Sequence, residues 1–113
     1  MKQIKAVVDP SLLHRVMAAL HALPHFPGVT VTDCQGQGRG RGEGGKYIST
    51  GNALSFERKI KLEIFCADSM CDELVSTIQT AGHVGHAGHG MIMVADLERV
   101  VRIHSGQEGD TAV

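Results

Sequence analysis

The sequence predicts an α+β domain built in the order βαββαβ, and three observations carry that prediction. Lys59-Ile60-Lys61-Leu62-Glu63-Ile64-Phe65 alternates polar and apolar residues, the period of a strand with one buried face. Leu12, Leu13, Val16, Met17 and Leu20 recur at helical spacing, as do Met70, Leu74, Val75 and Ile78. Short β-branched runs, Ile4 to Val8, Val29 to Thr32 and Met91 to Val94, flank these segments. That order is the ferredoxin-like arrangement, an antiparallel four-stranded sheet with both helices on one face. The other face then needs a cover, and self-association is the simplest one.

Each element has a local reason. Asp9-Pro10 offers an N-cap followed by proline at the first helical position. Pro24 to Gly28 reads as a turn, and the second helix is expected to start at Asp68 or Ser69. From Gly36 to Gly45 six of ten residues are glycine, interleaved with Arg39, Arg41 and Glu43. Such a run supplies almost no side chains to pack, so it is expected to open a long loop, roughly Gln35 to Glu57. A second glycine-rich turn, Gly82 to Gly90, holds His83, His86 and His89. Val100 to Ile103 is expected to form a short terminal strand, and the alternation of the long strand puts Lys59, Lys61, Glu63 and Phe65 on its other, unburied face.

Composition narrows the function. The 113 residues fit one domain spanning 1–113, with 42% hydrophobic and 20% charged residues. Eleven Lys and Arg against 12 Asp and Glu give a net charge of −1, which argues against a duplex nucleic-acid binder. The Gly/Arg run taken alone reads as a solvated loop ahead of an RNA contact. No apolar run approaches the ~20 residues of a membrane-spanning helix, and no leader core is visible near the start. The three cysteines contain no CxxC pair, and with these facts a reducing, cytoplasmic location is expected. Cys34, Cys66 and Cys71 read as small core residues, Met91 and Met93 as packing, and His14, His21 and His25 as surface positions. No nucleophile motif, Walker lysine or general-base pair is present, so a regulator is expected rather than an enzyme.

Five landmarks then resemble one family. They are Gly28-Val29-Thr30-Val31-Thr32, Gly36-Gln37-Gly38-Arg39, Lys59-Ile60-Lys61-Leu62-Glu63, Gly88-His89-Gly90 and Arg102-Ile103-His104-Ser105-Gly106. In order and spacing they resemble the P-II nitrogen-regulatory signalling proteins over nearly the whole chain. The resemblance implies a homotrimer with an adenine-nucleotide site in each intersubunit cleft. It implies a T-loop, about 37–57, that docks on a target protein or membrane transporter, a B-loop at about 82–90 and a C-terminal tail at about 99–113. Carried over, the nucleotide-binding positions are Gly28, Thr30, Gly36, Gly38, Arg39, Glu63, Gly88, His89, Gly90, Arg102 and His104, and the effector positions Arg39, Gly40 and Lys59. The glycines bring backbone N–H groups close to phosphate, and Arg39, Lys59 and Arg102 supply charge.

The departures carry information. Gly40 replaces the family's glutamine for metal and 2-oxoglutarate, and Asn52 its uridylylated tyrosine. Met91 and His86 replace lysines, and His104 an arginine. With fewer fixed cations, ADP or AMP is expected to be favoured over ATP, with a small anion such as bicarbonate as second effector. The segment from about Arg41 to Ser55 is expected to order or change shape when both ligands bind. The competing reading makes His83, His86 and His89 a transition-metal site in an accessory protein of a heavy-metal efflux system.

Overall fold

The computed structural model describes residues 1–37, 56–83 and 90–113. Its elements are β1 (Lys2–Val8), α1 (Leu13–His21), β2 (Thr30–Gly36), β3 (Glu57–Cys66), α2 (Asp68–Ala81) and β4 (Met91–Asp96). The four strands form one antiparallel sheet in the order β2-β3-β1-β4. Strand β3 therefore lies between β1 and β2, as the ferredoxin-like fold requires.

The expected alternation is present and sets the two faces. Ile60, Leu62, Ile64 and Cys66 of β3 are buried, and so are Ile4, Ala6 and Val8 of β1. The register places Ile4 opposite Ile64, Ala6 opposite Leu62 and Val8 opposite Ile60. Onto this face pack Val16 and Leu20 of α1 and Cys71, Leu74, Ile78 and Ala81 of α2, with Leu13, Met17, Met70 and Val75 at the margin.

Five expectations are corrected. The first helix does not start as an α-helix at Pro10: Pro10–Leu12 is a 3₁₀ turn, capped by Asp9, whose carboxylate accepts from the Ser11 N–H at 2.9 Å. The second strand runs on to Gly36, because Asp33, Cys34, Gln35 and Gly36 find ladder partners in Ile60, Lys59, Arg58 and Glu57. Val100 to Ile103 is not a strand. One bridge joins Val101 to Glu108, and the chain turns at once, with Arg102 N–H donating to Gln107 O and Gly106 N–H to Arg102 O. Met91 and Met93 are 64% and 39% exposed, since their phase in β4 points them away from the helices, and Cys34 is only half-buried.

Ion pairs tie the start of the chain to the sheet end. The Met1 amine donates to Asp68 at 2.6 Å, and Lys2 pairs with Asp96. The hydrogen bond between them pushes the Met1 amine above its ordinary value of 8.0 and holds Asp68 below 3.8. The Asp68 contribution to stability is thus present above pH 3.8 and is lost as pH falls through the depressed value. The amine's contribution is present below pH 8.0 and is lost as pH climbs through the raised one. Asp68→Asn is expected to flatten the dependence of the urea midpoint on pH at both ends, with the loss of stability largest in the neutral range, where the pair is intact.

Candidate functional site

The described site residues fall into two groups at opposite ends of the β2–β3 hairpin. At the open end a cleft of about 550 Å³ is lined by Gly28, Thr30, Glu63, Phe65, Arg102 and His104, among others. Thr30 sits directly opposite Glu63 in the ladder. The Glu63 carboxylate accepts from Gln3 Nε2 at 3.3 Å and lies 3.8 Å from Lys61 Nζ. Arg102 comes from the tail, and its Nε–H donates to Ala112 O at 2.9 Å, which fixes the plane of the guanidinium. Five of the residues expected to hold a nucleotide are therefore brought together.

The second group stands at the loop end. Gly36 pairs with Glu57, and Lys59 with Cys34. Gly90 stands just before β4, where Met91 pairs with Val7 and Val7 with Lys61. Gly90 is used structurally, whereas Gly36 has ordinary room for a Cβ. A Cβ on Gly36 would lie 3.6 Å from the Lys59 Cγ, and Gly90 has φ +85° with Val7 O only 3.3 Å from where its Cβ would be. From Thr30 to Gly36 is six residues, about 20 Å at ~3.4 Å per residue. One chain thus presents two partial sites on one sheet face, not one closed site.

Lys59 departs from expectation. It was assigned to the exposed face, yet it is 7% exposed. Its Nζ lies 3.1 Å from Glu57 Oε2, and burial of an ammonium is tolerated with such a partner. His83 is exposed, and its carbonyl accepts from Arg15 Nη2 at 3.1 Å. Gly38, Arg39, Gly40 and Asn52, and likewise His86, Gly88 and His89, lie outside the described residues. Among the described residues no three His, Cys, Asp or Glu side chains converge as metal ligands. The thiol of Cys66 is buried, and desolvation with Cys71 alongside pushes it up to about 11, so it is inert.

Sequence reading placed Phe65 only on an outer face. The structure puts this ring, 41% exposed, into the wall of the cleft. The available signal was an aromatic at a polar-phase position of an alternating strand. Ala112 was missed as well, because nothing in the sequence says that its carbonyl meets Arg102.

A small α+β protein with two helices on one face of a four-stranded antiparallel sheet and a cleft at the open end of the β2–β3 hairpin is the class these features define. The family model for nitrogen regulatory protein P-II matches residues 1–107. The chain is 37% identical to nitrogen regulatory protein P-II of Azospirillum brasilense and 38% identical to that of Klebsiella oxytoca. It is 33% identical to nitrogen regulatory protein GlnK of Escherichia coli K12. Each match runs over 113 residues and covers 100% of both chains. The chain belongs to the P-II nitrogen regulatory protein family and is a signal-transduction regulator of the ferredoxin-like fold.

Gly28 has φ +101°, where L side chains are rarely found, and no atom lies within 4 Å of its would-be Cβ. Gly28→Ala is therefore expected to cost about 1–2 kcal/mol from backbone strain alone, read as a lowered urea midpoint with unchanged circular dichroism.

Proposed function

We propose that the chain binds an adenine nucleotide, ADP or AMP in preference to ATP, in a cleft completed by a second copy within a homotrimer. The observation that carries this reading is the split of the site. Gly28, Thr30, Glu63, Arg102 and His104 stand at one end of the hairpin, and Gly36, Lys59 and Gly90 at the other. The two halves are too far apart to grip one nucleotide within a single chain. A neighbour that sets its loop end against this chain's open end brings them together. Around the ring of a trimer each half is then used once.

The preference for fewer phosphates follows from the side chains. Arg102 is the cation of the open end, while Met91 and His104 occupy places where a fixed cation would meet outer phosphates. Lys59 is committed to Glu57, which lowers its pull on additional negative charge. A small anion such as bicarbonate is the proposed second effector, held near Lys59, Arg39 and Gly40. Output runs through the T-loop to a partner protein or transporter. The chain acts as a regulator, not a catalyst. No helix of the described residues is long and apolar enough to cross a membrane, which is compatible with the cytoplasmic location proposed here.

Calorimetry with ADP, AMP and ATP tests the reading. ADP or AMP is expected to bind at least as tightly as ATP, and Arg102→Ala to weaken all three by about tenfold or more, since hydrogen bonds to charged groups contribute ~1.5–3 kcal/mol. ATP binding tenfold tighter, ~1.4 kcal/mol, would overturn the preference, and no heat with any of the three would overturn the site.

A further inference from the structure

A second cavity, of about 760 Å³, lies where the end of α1, the turn after it and the start of β2 come together. Met17, His21 and His25 line it, with Phe26, Val29 and Val31 among its apolar walls. It shares Pro27, Gly28 and Val29 with the open-end cleft but contains none of Thr30, Glu63, Arg102 and His104. The thioether and the two imidazoles are ligating groups that the nucleotide reading does not use.

Local structure sets these three side chains. Met17 and His21 stand four apart within α1, so they share one helix face with Cβ atoms about 6 Å apart. Two side chains of one helix bind a single metal ion at that spacing. His25 follows four residues later, in the turn, at φ +60°. It is the one non-glycine residue at positive φ among the described residues. That backbone strains an L residue and costs glycine nothing, yet an imidazole stands there and lines the cavity. The His21 ring is restrained too. It meets the Phe26 ring edge-on, with centroids 5.3 Å apart and an angle of 75° between planes. Phe26 and Met17 are both packed against the core, while His21 and His25 are exposed, which leaves an ion a path of entry.

The chemistry of the donors selects the ion. A thioether sulfur is a soft ligand, and neutral imidazole accompanies it well on copper. No Asp or Glu is among the described residues that line the cavity, so the donors bring no negative charge to offset a divalent cation. Magnesium and calcium prefer oxygen ligands, which this set of side chains lacks. We propose that Met17, His21 and His25 form a site for one Cu(I) ion, with the sulfur and one nitrogen of each ring as its three ligands. The site is separate from the nucleotide cleft and from the histidines at 83, 86 and 89. It stands or falls without either.

The test titrates Cu(I), kept reduced with ascorbate under anaerobic conditions, into Cys34→Ser protein against bicinchoninate. That substitution removes the half-buried thiol as a competing soft ligand. One Cu(I) is expected per chain, with one sulfur and two nitrogen neighbours in X-ray absorption. His21→Gln and His25→Gln are each expected to weaken the ion about tenfold or more. Met17→Leu, close to methionine in volume, is expected to do the same and to remove the sulfur neighbour. His83→Gln is expected to leave the affinity within twofold. Unaltered circular dichroism separates these effects from unfolding. Copper that binds equally well in His21→Gln and His25→Gln overturns the proposal, as does copper without a sulfur neighbour. Complete loss of copper to the chelator, or tighter binding of Zn(II) than of Cu(I), overturns it as well.

Discussion

The register between β1 and β3 is the constraint on which the rest of the molecule depends. Seven successive pairs, from Lys2 with Cys66 to Val8 with Ile60, put Ile4, Ala6 and Val8 of β1 and Ile60, Leu62, Ile64 and Cys66 of β3 under the helices. A slip by one residue would move Ile60, Leu62 and Ile64 into solvent and send Lys61 and Glu63 inward. The same pairing holds Glu63 and Phe65 on the outer face, where the cleft needs them, because the next strand, β2, reads its own register from β3. The helices follow from the sheet. Val16, Leu20, Leu74 and Ile78 have no other apolar surface large enough to cover them.

Much of this was legible in the sequence for a physical reason. Strict alternation over seven residues admits one structure, and two helical stripes over a sheet with one apolar face admit few topologies. What could not be read was set by partners rather than by local preference. Asp33, Cys34, Gln35 and Gly36 have weak strand tendencies, but β3 offers them a ready ladder and tertiary pairing prevails. Val100 to Ile103 shows the reverse. Its residues favour a strand, yet Gly106 and Gly109, both at positive φ, turn the chain back before a ladder can form.

The sequence named candidate residues but not where the fold would place them. Motifs singled out Gly28, Thr30, Glu63, Arg102 and His104, and these do share a cleft. Motifs equally singled out Gly36, Lys59 and Gly90, which stand about 20 Å away along the hairpin at ~3.4 Å per residue. Distance of this kind depends on how far β2 and β3 stay paired, and the sequence understated that length. The burial of Lys59 has the same origin. Extending the hairpin to Gly36 and Glu57 sets a carboxylate beside its ammonium and Cys34 across from it, so a lysine in the outward phase is nevertheless covered.

One further property of the outer face bears on the proposed assembly. Phe65, Met91 and Met93 all lie on it, opposite Gln3, Val7 and Lys5 in the ladder, and all three are exposed. Ile103, at the turn of the tail, is wholly exposed. Single exposed apolar side chains are ordinary, but these share a sheet face with both partial sites. Covering that face by a second copy buries apolar surface that gains from leaving water. It also removes water from around Glu63 and Arg102, which strengthens any charge-assisted contact made there. The hydrophobic and the electrostatic requirements therefore favour the same assembly, and each can be weakened separately, the first at Met91 or Phe65 and the second at Arg102.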